Sequence, residues 1–333
     1  MVPSKNFFRE RIAHFLAGVI ALSASAAFAQ TITESDEKQR LPDALKDGTA
    51  EISPERYPVL RKAMDSEFQA QFETQLAKSK LDKAVQSGKL SLTLVDITDL
   101  SHPRMAHVNG EKMFYAASLP KIAILLAAAQ KIEDGELTLD KSLKAQLTRM
   151  IRNSSNVDAT RTLNLVGGDY INDLLASDRY KLYDVDYDGG LWVGKAYGPG
   201  AAFHRDPLHN ISHGASGVQV ARFYYQLATG QLVSPTQSAL MKEVLSKPAI
   251  NHKFVRGLRA YKPKSEIYRK SGTWRTYNAD SAIVERDGRS YIAVGLANSA
   301  QGGEWLSDAI VVMDKLVFST RPRTISAALG TSD

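Results

Sequence analysis

Residues 116–130 read AASLPKIAILLAAAQ, and this stretch decides how the rest of the chain is read. From Ile122 to Ala129 every position is apolar, so the run predicts a helix buried inside a domain, closed by Lys131 and Gly135. Ser118-Leu119-Pro120-Lys121 opens it, and three-residue spacing puts Ser118 and Lys121 one turn apart on one face. Pro120 is tolerated there because first-turn amides have no partner within the helix. A serine at a helix N-terminus beside a buried amine has what an activated alkoxide needs: a base within reach and the positive end of the helix dipole. Burial pushes such a lysine toward its neutral, basic form. Alone the tetrad is weak evidence. Serine is a favoured helix cap, and Ser35-Asp36-Glu37-Lys38 repeats the spacing where no buried helix follows.

Toward the N-terminus, apolar residues recur at helical spacing from Val59 to Val85 (Leu60, Met64, Phe68, Phe72, Leu76, Leu81), and Gly88 stops the helix. Leu90 to Ile97 alternates as a half-buried strand, with a short strand after it at Met105 to Asn109. Toward the C-terminus, helices are predicted at Leu143–Ile151, Val157–Leu165, Ile171–Leu175 and Val218–Ala228, with a long irregular stretch from Tyr183 to Ser216. Strands return at Ile267–Ser271, Ala282–Glu285 and Tyr291–Asn298, the last two joined by the turn Arg286-Asp287-Gly288-Arg289, and a helix from about Glu304 to Phe318 closes the chain. Strands at both ends with helices between predict an α/β (α+β) domain over 58–320: one antiparallel sheet flanked by helices, with a helical lobe inserted at about 122–262.

Two further clusters change the weight of the tetrad. Ser154-Ser155-Asn156 falls in a turn between two predicted helices, and Lys270-Ser271-Gly272 ends a predicted strand. In this order the three match the S-x-x-K, S-D-N and K-T-G signature of class A β-lactamases and penicillin-binding proteins, with Ser155 for the Asp and Ser271 for the Thr. The chain resembles that penicillin-recognising serine hydrolase family over roughly residues 60 to 318. The resemblance implies a serine β-lactamase/transpeptidase-like fold and an acyl-enzyme on Ser118, with Lys121 as proton acceptor. It implies that Ser154 passes a proton to the leaving nitrogen, that Lys270 holds Ser154 and the substrate carboxylate, and that Asn156 binds the substrate's side-chain amide. The oxyanion is expected between the backbone N–H groups of Ser118 and Thr273, with Ser271 and Gly272 on the same strand. Arg275 is either a carboxylate clamp or an exposed hairpin arginine.

Class A enzymes activate the deacylating water with a glutamate between the second and third motifs. No glutamate occurs between Glu136 and Glu243, and the segment Gly189–His213 holds Asp206, His204, His209 and His213 instead. One of these is a candidate to position water, against the plainer reading that all are loop residues. Acylation is therefore expected to outrun deacylation. The function read from the sequence is an exported serine hydrolase opening a β-lactam or acyl-D-alanyl amide. The alternatives are a D-alanyl-D-alanine carboxypeptidase or other peptidoglycan peptidase, and a slowly acylated penicillin or muropeptide binder without turnover.

Composition removes several other classes. The 333 residues contain no cysteine, which excludes disulfide scaffolds, cysteine nucleophiles and cysteine-held metals. Seven scattered histidines offer no zinc pattern, and Gly189 to Lys195 misses a phosphate loop because Ala196 stands where Ser or Thr is required, so neither a metal nor a cofactor is expected. Lys5, Arg9 and Arg11 precede the apolar stretch Ile12–Phe28, and Ala27-Phe28-Ala29 supplies small residues at a cleavage site, predicting an export signal over 1–29 cut before Gln30. The net charge of +6 falls to +4 without that segment's three cations and one anion, too small an excess to indicate nucleic acid. A flexible polar leader (30–57) and a short tail (321–333) complete the expected organisation: a periplasmic or secreted monomer with no lasting membrane span, meeting a small β-lactam or a peptidoglycan peptide.

Overall fold

The structure is a computed structural model describing residues 57–319. The expected export signal, the leader before Tyr57 and the tail lie outside the described residues. A short 3-10 helix at Leu60–Ala63 leads into α1 (Ser66–Lys78) and α2 (Asp82–Gln86). The single helix expected over Val59–Val85 is thus broken twice. Asp65 caps α1 by accepting from the Phe68 amide at 2.9 Å, and Lys80 takes a left-handed φ of 64°. Of the apolar stripe, Leu60, Phe68, Phe72 and Leu76 are buried while Met64 is exposed, because the cap falls between Met64 and the helix proper.

Five strands form one antiparallel sheet: β1 (Leu90–Asp96), β2 (Arg104–Val108), β8 (Glu266–Trp274), β9 (Tyr277–Arg286) and β10 (Arg289–Asn298), in the order β2-β1-β10-β9-β8. Its centre joins the two ends of the chain, Leu90 opposite Ala297 and Asp96 opposite Tyr291. The β9–β10 turn falls at Asp287 and Gly288, both at positive φ, as a two-residue hairpin turn matched to strand twist requires. β9 begins five residues before the expected strand because Asn278, Asp280 and Ser281 are polar yet buried. Asp280 receives two hydrogen bonds from Arg269, at 2.6 and 2.7 Å, and one from the Phe254 amide.

Helices cover both faces of the sheet. On one face Leu90, Leu92, Leu94, Ala282, Val284 and Ala293 pack with Phe68 and Phe72 of α1, with Phe254 and Leu258 of α9 (Phe254–Tyr261), and with the closing helix α10 (Gly302–Ser319). Each fully buried leucine there contributes about 1.5–3 kcal/mol. On the other face α7 (Gly217–Ala228) lies against β1 and β10, so closely that a Cβ on Gly217 would come within 2.4 Å of the Thr93 hydroxyl. Beyond it α4 (Lys141–Arg152), α5 (Asn156–Val166), α6 (Gly168–Ala176) and α8 (Pro235–Leu245) surround α3 (Lys121–Glu133), in which every residue from Lys121 to Gln130 is buried. The sequence carries a start signal for α8, Ser234 before Pro235, and Ser234 does cap it by accepting from the Gln237 amide. Among the described residues no helix is long and apolar enough to cross a membrane.

The stretch read as irregular holds four short strands: β4 (Tyr183–Asp184), β5 (Gly189–Gly190), β6 (Trp192–Val193) and β7 (His213–Ala215). β6 and β7 join β3 (Phe114–Tyr115) in a small sheet that runs straight into the turn bearing Ser118. The Ala116 amide extends this ladder by donating to the His213 carbonyl at 2.8 Å, tying the loop to the nucleophile turn.

Candidate active site

Ser118 sits one turn before α3 proper. Hydrogen bonds from Leu119 to Ala116, from Lys121 to Ser118 and from Ile122 to Leu119 wind residues 116–122 as a tight 3-10-like turn, and Pro120 is the residue that precedes the helix. Ala117, just before the serine, takes a left-handed φ of 51°, a sparsely populated conformation for a residue with a side chain. This strain presents the half-buried Ser118 to the cleft. Among the described residues the Ser118 amide donates to no acceptor in the chain, so it is free to point at a developing oxyanion.

The three motifs converge. Nζ of the fully buried Lys121 donates to the Ser154 carbonyl and to Asn156 Oδ1, both at 2.7 Å, and lies 3.5 Å from Ser154 Oγ. Nζ of Lys270 reaches the same Oγ at 2.9 Å and also donates to the Ser271 carbonyl. The Ser154 hydroxyl therefore bridges two buried amines contributed by a helix and a strand. Ser154 itself holds a positive φ of 55° in the turn between α4 and α5. Ser155, standing where the signature has an aspartate, caps α5 by accepting from the Asp158 amide at 3.2 Å. No hydrogen bond joins Ser118 Oγ to Lys121. Catalytic contacts are commonly long without substrate and tighten when it binds.

Among the described residues no carboxylate pairs with either amine, and burial dominates their electrostatics. It lowers Lys121 to about 7, which makes a neutral, proton-accepting amine accessible near neutrality. Lys270 is pushed well down by burial, reinforced by repulsion from Lys121 and Arg269. The Tyr197 ring lies 4.5 Å from Lys121 Nζ, and its hydroxyl donates to the Ala117 carbonyl at 3.4 Å.

Of the four loop candidates for holding water, only His213 lines the cleft. Its Nε2 is tied to the Lys195 carbonyl at 3.0 Å, and burial lowers its pKa to about 4. Asp206 is buried, accepting from the Tyr183 hydroxyl and the His209 amide, while His204 and His209 pair with Asp169 and Asp188. These three hold the loop together. Arg275 sits at the tip of the β8–β9 hairpin, stacked 4.3 Å over Trp274 and outside the cleft lining.

Besides Tyr197, two positions beside the site have no counterpart in the sequence reading. Lys253, nearly fully buried, donates to the Gly272 carbonyl, to Thr273 Oγ1 at 2.7 Å and to the Ala279 carbonyl at 3.2 Å, clamping the end of β8 from behind. Burial lowers it to about 8. Its φ of 50° and ψ of −121° are strained for a non-glycine residue. The neighbouring His252 Nε2 lies 3.1 Å from Ser271 Oγ. Neither belongs to a spacing motif, so only the fold reveals them. Gly272 leaves room for nothing else: a Cβ there would stand 2.1 Å from the Ala116 carbonyl oxygen.

A serine on a strained turn, two buried lysines sharing a second serine and the strand β8 packed against that turn define a serine hydrolase of the β-lactamase type. The model of the beta-lactamase enzyme family matches residues 75–146 and 142–313. The chain belongs to that family. In fold it is similar to a β-lactamase from Sphaerobacter thermophilus DSM 20745 (17% identity, TM-score 0.59, covering 75% of this chain and 98% of that one). It is likewise similar to a β-lactamase from Xanthomonas campestris pv. campestris str. ATCC 33913 (16%, 0.59, 75% and 98%) and to PBP-A (16%, 0.57, 77% and 97%). A mutant of PBP-A was solved as an acyl-enzyme complex with penicillin G (17%, 0.58, 77% and 97%). No curated protein matches the chain.

Proposed function

We propose that this chain is an exported acyl-transfer hydrolase that opens a β-lactam, or the amide of an acyl-D-alanyl peptide, through an ester on Ser118. The observation that carries the reading is the Ser154 hydroxyl, 2.9 Å from Lys270 and 3.5 Å from Lys121. Lys121 takes the Ser118 proton as Oγ bonds to the carbonyl carbon. The oxyanion then lies between the amides of Ser118 and Thr273, and as the C–N bond breaks Ser154 relays a proton from Lys121 to the departing nitrogen. Water completes the cycle by hydrolysing the ester. Lys270 and Ser271 face the substrate carboxylate, and Asn156, whose Oδ1 is held by Lys121, turns its amide donors to the acyl group.

A second reading, in which the ester persists and the protein works as a slow peptidase or an acylated binder, is supported by the cleft lining. No Asp or Glu is among the residues that line it, and His213 is held as a neutral donor. Intact-mass spectrometry after a penicillin pulse and chase tests both. The expected result is a penicilloyl adduct within the pulse that decays slowly, and none on Ser118→Ala. No adduct on the wild type refutes the acylation, and rapid cephalosporin turnover without an accumulating adduct refutes the slow release. Release of D-alanine from muropeptides identifies the peptidase.

A further inference from the structure

The cleft extends well past the catalytic groups, as a cavity of about 570 Å³. Its lining includes Ser118, Asn156 and Thr273 but none of Ser154, Lys270 or Ser271. The proton for the leaving nitrogen comes from the Ser154–Lys270 side, so the cavity opens on the opposite, acyl side of the scissile bond. One wall is aromatic: Tyr115 has its ring centroid 5.3 Å from that of Trp274 and 5.2 Å from that of Tyr277, and Trp274 is substantially exposed. Lys195 and Arg205 line the same cavity.

These two cations are placed but not neutralised. Lys195 Nζ donates to the Gly198 carbonyl at 2.9 Å and Arg205 Nη1 to the Asn210 carbonyl at 3.0 Å, so backbone oxygens orient both side chains. Among the described residues neither has a carboxylate partner. The nearest acid in sequence, Asp206, is buried and occupied by Tyr183 and His209. Two oriented cations without carboxylate partners, in one cavity with an exposed aromatic surface, form a site complementary to an anion on an apolar or planar body.

We infer that this cavity is an acyl-side subsite selecting acyl groups that carry a carboxylate, with Lys195 and Arg205 as the countercharge and Tyr115, Trp274 and Tyr277 as the apolar platform. The inference rests on the proposed acylation of Ser118 and names the class of acyl donor: amides whose acyl portion is itself acidic, as in peptides with a free side-chain carboxylate.

Carbenicillin differs from benzylpenicillin by one carboxylate on the acyl side chain, so the ratio of their second-order acylation rates isolates the effect. Wild-type protein is expected to favour carbenicillin about tenfold at low salt, the preference shrinking at 0.5 M NaCl and falling to within about twofold in Lys195→Gln/Arg205→Gln. A wild-type ratio at or below one overturns the inference, as does a ratio that survives the double substitution. If neither compound acylates Ser118, the proposed function fails, and binding still decides the subsite. On Ser118→Ala, tryptophan fluorescence should report tighter binding of phenylmalonic acid monoamide than of neutral phenylacetamide, and equal binding of the two refutes it.

Discussion

Replacing Gly272 by alanine adds one methyl group at the closest approach between the oxyanion strand and the nucleophile turn. The new Cβ would lie 2.1 Å from the Ala116 carbonyl oxygen, 2.7 Å from the Ser118 nitrogen and 2.8 Å from the Leu119 nitrogen. Ordinary contact distances are about 3.5–4.0 Å, so β8 and the turn must separate by about 1.4 Å or more at the Ala116 carbonyl. All three atoms are backbone, so no side chain can rotate away. The φ of Gly272 is not in the left-handed region, so the penalty comes from contact and not from backbone preference. Overpacking of this kind costs about 1–3 kcal/mol of stability. A misplacement of about 1 Å in a reacting site costs about 100-fold, and loss of one oxyanion donor about 100- to 1,000-fold. Gly272→Ala is therefore expected to fold, with a moderately lower Tm, and to be acylated by penicillin at least about 100-fold more slowly. Stopped-flow or time-resolved mass measurement of the acylation rate, beside a melting curve, checks both parts. Acylation within threefold of wild type would show that the strand and the turn do not form one oxyanion site.

Three further outcomes follow from the same geometry. Lys121 must be neutral to accept a proton and its pKa is lowered to about 7, so the acylation rate should climb with pH up to about 7 and level off above it; a flat profile between pH 5.5 and 8.5 refutes its role as base. Because folding depresses this lysine, the unfolded chain binds more protons above pH 7, and Lys121 should make stability rise with pH from about 7 toward 10.5 in denaturant titrations. Lys253→Met removes three hydrogen bonds behind Gly272 and Thr273 and should slow acylation at least about tenfold for about 1–3 kcal/mol of stability, whereas an unchanged rate at lowered stability would reduce Lys253 to a structural lysine. Asp280→Asn leaves the Arg269 guanidinium buried without its counterion and is expected to cost about 3–5 kcal/mol in urea unfolding; a loss under 1 kcal/mol contradicts the strength assigned to that pair.

The residues of the site differ in how visible they were in the sequence. Ser118, Lys121, Ser154 and Asn156 could be read because each sits where a motif meets an element boundary, which periodicity marks, and Lys270 because its motif lies in a strand-like run, although β8 continues past it to Trp274. The sheet was equally legible, since β1 and β10 are long: Leu90, Leu92 and Leu94 alternate with Ser91 and Thr93, although β1 is buried on both faces and not half-buried as expected because α7 covers its polar side, and β10 is a continuous apolar run. Tyr197, His252 and Lys253 were not. Their chemistry comes from what the fold lays against them, an amine under a ring or a strand carbonyl above an ammonium, and no local pattern encodes that. The N-terminal part of β9 escaped for a related reason: its buried Asp280 is satisfied by Arg269 and by the Phe254 amide, and Ser281 by the Lys270 carbonyl, none of them adjacent in sequence. Arg275 could be read either as a clamp or as a hairpin tip, and its positive φ together with its stacking on Trp274 places it at the tip.

The sheet that supports all of this is stitched from the two extremes of the domain, Leu90 against Ala297, with the whole helical lobe made in between. During synthesis β1 has only β2 to pair with, and its leucines have only α1 to cover them until β10 and α10 emerge. Such high contact order slows folding and leaves an unpaired hydrophobic edge in the nascent chain. A domain closed in this way stays open until β10 and α10 have been made.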